Sequence, residues 1–342
     1  MSASSDVGYH AQRQARWHYG EVAFWLVVLA CGFLFPSRYL IMTDILRLAL
    51  FTLSLDLILG YAGIVSLGHA AFFGVGAYSA GLLALHGIIT EPVIALVVAG
   101  LVAMVLGFLT SFLVIRGVDL TRLMVTLGIA LLLEALAERF SNITGGTDGL
   151  QGIEMAPILG VFAFDMFGKT GFFYSLVVLF LLFLLARRIV NSPFGLSLRA
   201  IKNNPLRASA IGVPVNHRLI AIYTLAAFYA GIAGALFTQT TALASLDVFA
   251  FEKSADLMLV LVLGGTGYLY GGLIGAVVFK MLQELFQTIT PQYWLFWIGL
   301  VLVVIVLVGR ARMHRWALWL PNLVIRRFAG RKAVVAVPES DA

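Results

Sequence analysis

The sequence predicts an all-α, polytopic transmembrane helical bundle of about ten spans, because of its composition, its succession of apolar runs and its clustered positive charges. Of its 342 residues, 61% are hydrophobic and 12% are charged, and the mean hydropathy is +0.98. The core of a water-soluble protein could not bury this much apolar surface, so we expect lipid to be the solvent. Only short polar breaks separate the apolar runs, which indicates one membrane domain.

Ten apolar runs are candidate spans, if shorter and broken helices are allowed inside a bundle. They lie near 21–35, 38–59, 64–86, 92–115, 119–139, 171–190, 219–242, 254–266, 268–288 and 292–309. The eighth run is too short for a complete crossing and leads into Gly264, Gly265 and Gly267. Another glycine pair, Gly60 and Gly63, follows the second run. At both places we predict broken or re-entrant helices, whose exposed backbone must face protein or water.

Positive charges set the predicted orientation, because Lys and Arg concentrate on the cytoplasmic side of a bilayer. They cluster in an N-terminal arm (1–20), a loop at 191–218 and a C-terminal tail (311–342). We therefore predict that both termini and this loop are cytoplasmic, that 21–310 is the membrane domain and that 141–170 is a periplasmic loop. The net charge of +6 does not indicate nucleic-acid binding, because the basic residues are not interleaved with aromatic ones on one surface.

Small residues follow both glycine breaks. They are Gly68, Gly74 and Gly76 after the first break, and Gly267, Gly271 and Gly275 at a spacing of four residues after the second. Small residues let helices approach closely in lipid, where van der Waals contact replaces the hydrophobic driving force. The pattern is equally compatible with plain helix packing and with a translocation pathway at the bundle centre.

Three polar residues, Asp56, Ser66 and His69, lie beside the first break. A histidine without a second ligand nearby makes a poor metal site, so we expect His69 to be packed and hydrogen-bonded. The alternative is that His69 lines the pathway or steadies the break together with Asp56.

Four stretches resemble one family of transport proteins in their residues and their order. They are Leu59–Tyr78, Thr144–Gly152, Ser192–Asn204 with the later Ile211–Gly212, and Val262–Gly271. Together they resemble the LivM-type permeases of branched-chain amino acid ABC importers, over roughly residues 38–310.

This resemblance implies a transport subunit of the bacterial inner membrane, with no catalytic residue, cofactor or metal in this chain. ATP and magnesium would act in two cytoplasmic ATPase subunits. A homologous or identical permease would complete the pathway, and a periplasmic binding protein would deliver the solute. The solute itself stays open, because importers of urea, amides and aromatic acids have similar permeases.

The cytoplasmic loop contains a predicted short, basic, amphipathic helix at Leu196–Ala210, interrupted at Pro205. Because a solvated loop gives apolar side chains nothing to pack on, we expect a partner to bury Leu198 and Ile201. The resemblance makes this segment the coupling helix that docks on the ATPase. The predicted coupling residues are Gly195, Leu198, Arg199, Ala200, Ile201, Lys202, Arg207 and Gly212.

The predicted periplasmic loop carries a glycine-rich turn at its start. Its residues are Gly145, Gly146, Asp148 and Gly149. Glycines allow a tight turn at the mouth of the pathway, where we expect contact with the binding protein. The alternative, which the sequence favours equally, is that this turn only connects two spans.

Charged residues at membrane depth usually face the bundle interior. Asp44 with Arg47, and Lys280 with Glu284, have the spacing of intrahelical pairs. An ion-coupled secondary transporter, which would use an acid such as Asp56 or Glu134 in a proton relay and would need no ATPase, is the alternative function. An intramembrane enzyme would need a nucleophile with its base or clustered metal ligands, and the sequence offers neither pattern.

Overall fold

The computed structural model describes residues 19–117, 119–165 and 167–308. The predicted cytoplasmic tail at 311–342 and most of the arm at 1–20 lie outside the described residues. Within them the regular structure is helical, and the β pairing consists of two isolated bridges, Leu150 with Ala244 and Ile158 with Phe162.

The helices run in chain order from α1 to α13. They are α1 Tyr19–Leu34, α2 Tyr39–Ala62, α3 His69–Leu85, α4 Pro92–Arg116, α5 Asp119–Arg139, α6 Ser141–Thr144, α7 Lys169–Val190, α8 Pro193–Asn203, α9 Pro205–Ala210, α10 Val215–Thr241, α11 Phe251–Gly264, α12 Leu269–Ile289 and α13 Trp294–Val308. Short 3-10 turns occupy Pro36–Arg38, Gly146–Asp148 and Leu246–Val248.

Each of the ten predicted spans falls on one of these helices. In the described part of the chain, six helices are long and apolar enough to cross a membrane, namely those containing α2, α4, α5, α7, α10 and α12. Helices α1 and α3 are apolar but shorter. The polytopic, all-α class is therefore confirmed, whereas ten crossings and cytoplasmic termini stay predictions.

Two buried helices, α2 and α10, form the centre of a compact unit that ends at Lys280. Helix α10 packs against α4, α3 and α2, and α2 also packs against α7. Helix α5, by contrast, has little of its surface buried. The described part of a second unit, which begins at Met281, contains α13 and a ring contact of 6.2 Å between Phe286 and Trp297.

Close backbone contacts hold the first unit together where the sequence places small residues. A Cβ added to Gly76 in α3 would meet the carbonyl of Gly231 in α10. Likewise, a Cβ on Gly264 in α11 would meet the carbonyl of Gly271 in α12. Only a hydrogen atom fits at such approaches, so these glycines allow the helix backbones to come into contact.

Candidate functional site

The first break begins where α2 ends at Ala62. Gly63 adopts φ +75°, a left-handed conformation that glycine adopts without strain, and its N–H bonds back to the carbonyl of Ile58. The chain then runs without helix to His69, where α3 begins. The predicted interruption at Gly60–Gly63 is thus confirmed, with the helix ending just before Gly63.

The second break separates α11 from α12. Helix α11 has only 14 residues and ends at Gly264, after which Gly265 and Gly267 adopt φ +111° and +81°. Only glycine adopts such angles readily, so the glycine cluster is what allows the chain to turn here. The short span predicted at 254–266 is therefore confirmed as helix α11.

Asp56 joins the two breaks. Its side chain is fully buried, and its Oδ1 accepts a hydrogen bond of 2.7 Å from the backbone N–H of Gly267. A Cβ on Gly60 would collide with this carboxylate and would lie 2.6 Å from the nitrogen of Gly267. Two interruptions far apart in the sequence therefore form one packed site, which we call the break junction (Asp56, Gly60 and Gly264–Gly267).

Helix α8 is attached to this junction. Lys202 Nζ donates a hydrogen bond of 2.6 Å to the carbonyl oxygen of Gly60. Carbonyls in the last turn of a helix lack intrahelical partners and lie at the negative end of the helix dipole, so an ammonium group is well matched to this position. The Arg199 guanidinium lies 5.4 Å from the centroid of the Tyr61 ring, within cation–π range.

The local sequence explains the shape of the segment that contains α8 and α9. Ser192 caps α8 by accepting a bond from the N–H of Gly195, and Pro193 occupies the first turn. Asn204 caps α9 in the same way and is followed by Pro205. The predicted helix with its interruption at Pro205 is confirmed, although it begins three residues earlier than expected.

The expected role of two apolar residues in this segment is corrected. Leu198 and Ile201 are 0% and 2% exposed, because the apolar face of α8 packs on α2, α7 and α10. The expectation that only a partner could bury these two residues is therefore wrong, because the bundle itself supplies the surface. Leu206 and Ile211, in contrast, are 83% and 76% exposed.

The other predicted coupling residues lie on or beside the same two helices. They are Gly195 and Ala200 in α8, the exposed Arg207 in α9, and Gly212 after α9. A Cβ on Gly195 would meet the carbonyl of Val190, so this glycine holds α8 close to the end of α7.

Comparison with known proteins identifies the family. Residues 38–306 match the family model described as branched-chain amino acid transport system / permease component. The chain belongs to this family. Together with its long apolar helices, membership makes this permease a multi-pass protein of the bacterial inner membrane. The family is described as a transport component rather than an enzyme.

Several curated relatives are similar to this permease. The high-affinity branched-chain amino acid permease LivM of Escherichia coli is 26% identical over 278 residues, which are 74% of this chain and 64% of that protein. A probable branched-chain amino acid permease, LivH of Methanocaldococcus jannaschii, is 29% identical over 70% of this chain and 76% of its own length. The ribose import permease RbsC of Bacillus subtilis is 31% identical over 46% and 53%.

The chain spans less than two thirds of the length of the LivM relative from Escherichia coli. No solved structure matches the permease significantly.

His69 is packed between α2 and α3 inside the permease, as expected. Its Nε2 lies 2.8 Å from Ser54 Oγ, and its ring stacks on Phe51 at 5.7 Å. Ser66, three residues earlier, is fully buried. The described residues contain no group of three or more His, Cys, Asp or Glu able to hold a metal ion.

Two glycines of the predicted pathway set lie in packed positions. A Cβ on Gly68 would meet the carbonyl of Thr126 in α5, and one on Gly74 would meet the ring of Phe249. Both glycines therefore serve helix packing, and a pathway lined by them stays a prediction.

The predicted outer turn is present. Gly145, Gly146 and Gly149 all have positive φ, and Asp148 is exposed at the tip. Leu150 then pairs with Ala244 through backbone hydrogen bonds of 2.7 and 3.1 Å, which tie this loop to the connection after α10. The tight turn is confirmed, and its contact with a binding protein stays a prediction.

A second link between α2 and α12 was not predicted. The intrahelical pair of Asp44 and Arg47 is present, and Arg47 also donates to Thr240 Oγ1 at 2.5 Å. Lys280 has its Nζ 3.9 Å from Asp44 Oδ2, whereas the predicted pairing of Lys280 with Glu284 stays a prediction. Because residues 44 and 280 are far apart in the sequence, no local spacing rule could reveal this contact.

Proposed function

We propose that this permease is the membrane-spanning subunit of an ATP-binding cassette importer for branched-chain amino acids or a related small polar solute, such as urea, an amide or an aromatic acid. Similarity to LivM and LivH supports amino acids as the first candidate. Similarity to ribose and fructose permeases indicates that the shared region carries transport machinery rather than solute recognition. We therefore assign delivery and selection of the solute to a periplasmic binding protein.

The proposed orientation follows the positive charges. It places α8 and α9 in the cytoplasm, facing two ATPase subunits that bind ATP and magnesium, and the turn at Gly145–Gly149 in the periplasm. A homologous or identical permease completes the pathway. In this arrangement the exposed Leu206 and Ile211 are the apolar anchors for the ATPase, in place of the buried Leu198 and Ile201.

One observation carries the mechanism: Lys202 of α8 is bonded to the last turn of α2 at Gly60. When the ATPases close, they displace α9 and α8, and this bond and the Arg199–Tyr61 contact transmit the displacement to the end of α2. Asp56 passes it on to Gly267, at the start of α12. Broken helices suit this task, because their ends can move without disrupting a continuous hydrogen-bond ladder.

The carrier alternative makes a different demand on Asp56. A proton relay needs an acid that exchanges protons with water, whereas Asp56 is fully buried and accepts the N–H of Gly267. This geometry supports a structural role for Asp56 rather than a part in a proton relay.

The test is uptake into proteoliposomes containing the permease pair, the ATPases and the binding protein. We expect uptake to require ATP on the ATPase side and to be insensitive to dissipation of ion gradients. Uptake by the permease without ATPases, driven by an ion gradient, would establish the carrier instead.

The docking surface is tested separately by Leu206→Asp. This variant should lose the ATPase on co-purification while remaining inserted, because the side chain is exposed outside the bundle. Val161→Asp is the matched control, since Val161 is 74% exposed in the predicted periplasmic loop. Equal retention of the ATPase by both variants would contradict docking at α9.

A further inference from the structure

A polar cavity of about 580 Å³ lies beside the break junction, at the ends of α1, α2, α7, α8 and α12. Its charged lining residues are three cations, Arg187, Arg199 and Lys202, and one acid, Glu21. Glu21 pairs with Arg187 at 2.6 Å, so the remaining lining charge is positive. Tyrosine and asparagine side chains, among them Tyr268, add hydrogen-bonding groups.

An apolar groove of about 490 Å³ lies between α1 and α7. All its lining side chains are apolar. They include Val22, Leu26 and Leu29 from α1, and Val177, Phe180 and Leu181 from α7.

The two cavities follow one another along the same pair of helices. Glu21 of the polar cavity adjoins Val22 of the groove, and Phe183 of the cavity is about one helical turn from Phe180 of the groove. Trp25 lies between them, with its ring 4.9 Å from that of Phe180 and 5.2 Å from that of Phe183. The site therefore changes from basic at the helix ends to apolar toward the middle of the helices.

We propose that this pair of cavities binds an anionic phospholipid, with its phosphate in the basic cavity and an acyl chain in the groove. Basic pockets between transmembrane helices recognise anionic lipid head groups, and Arg and Lys form charge-assisted hydrogen bonds with phosphate. A soluble anion would leave the groove unused, and a lipid without net charge would supply no net counter-charge to Arg199 and Lys202. The inference goes beyond transport and needs only the membrane location.

The bound lipid would connect α1, which lies before the matched residues 38–306, with the helix that carries Arg199 and Lys202. In the orientation proposed above, its head group belongs to the cytoplasmic leaflet. Membrane composition would then act directly on the helix that, in the proposed function, transmits the movement of the ATPase.

Native mass spectrometry of the full-length permease tests the proposal, with phosphatidylglycerol and phosphatidylcholine of identical acyl chains as probes. We expect wild type to retain phosphatidylglycerol preferentially. Arg199→Gln should reduce this preference about tenfold, because a hydrogen bond to a charged group is worth roughly that factor. Arg188→Gln is the matched control, since Arg188 is exposed at the same end of α7 and does not line the cavity. Val177→Trp fills the groove and should weaken both lipids equally.

Three results would overturn the proposal. The first is equal retention of the two lipids by wild type, and the second is an equal effect of Arg199→Gln and Arg188→Gln. The third is competition by inorganic phosphate as effective as that by phosphatidylglycerol, which would indicate an anion site without an acyl contribution. If Arg199→Gln does not fold, Arg199→Lys, which should keep the preference, and Val177→Trp carry the test.

Discussion

Removing the ammonium group of Lys202 tests the mechanical link between α8 and the break junction. In Lys202→Met the hydrogen bond to the Gly60 carbonyl is lost while most of the side-chain length remains. A hydrogen bond to a charged group contributes about 1.5–3 kcal/mol. Because the Lys202 side chain is exposed to solvent, we reduce this range to about 1–2 kcal/mol.

This loss corresponds to a factor of roughly 5–30 in the equilibrium that couples the position of α8 to that of α2. We expect the number of solutes transported per ATP hydrolysed to fall by a comparable factor. Co-purification of the ATPase should be unchanged, because Lys202 lies in α8 and its ammonium group bonds to α2, whereas the proposed ATPase contact is made by α9.

The assay measures uptake and ATP hydrolysis in the same proteoliposomes. Two variants serve as controls. Arg188→Met removes a positive charge from the same end of the bundle but leaves the bond to Gly60 intact, and Lys202→Arg keeps a charged hydrogen-bond donor at position 202. If Lys202→Met transports as many solutes per ATP as Arg188→Met does, the bond transmits no movement and the reasoning is refuted.

Three further perturbations probe the outer turn, helix packing and Asp56. Asp148→Lys should lower the stimulation of ATP hydrolysis by the binding protein without changing the basal rate, and unchanged stimulation would remove the proposed contact at the exposed turn. Gly264→Leu should destabilise the bundle by about 1–3 kcal/mol through overpacking against Gly271, as measured by thermal unfolding. The control is Gly128→Leu, because an added Cβ at Gly128 meets nothing within 4 Å. Asp56→Asn should keep substantial transport, because the amide oxygen can still accept a hydrogen bond from the Gly267 N–H. Asp56→Leu, which has no acceptor, should abolish transport. A proton relay through Asp56 would instead require both variants to be inactive.

Positions of elements were largely predictable from the sequence. Apolar runs located the helices, and glycines located both breaks, because left-handed backbone and close helix contacts favour the residue without a side chain. The caps at Ser192 and Asn204 follow the same local logic, which needs only a few neighbouring residues.

Contacts between distant segments were not predictable in this way. The bond from Gly267 to Asp56 and the approach of Lys280 to Asp44 join residues more than 200 positions apart, as their numbers show. The apolar period of α8 correctly indicated a buried face, but the period does not say what covers that face. The bundle covers Leu198 and Ile201. The expectation that a partner would bury them treated α8 as solvated on all sides.

The burial of α8 and the exposure of α9 separate two tasks that the sequence had merged into one segment. One helix holds on to the bundle, and the other presents its side chains outward. In the proposed function, α9 selects the ATPase and α8 transmits its movement, so these two properties can change independently. Replacing only residues 205–211 by the corresponding residues of a relative should make the permease co-purify with that relative's ATPase. The number of solutes transported per ATP should not change, because it depends on residues 193–203.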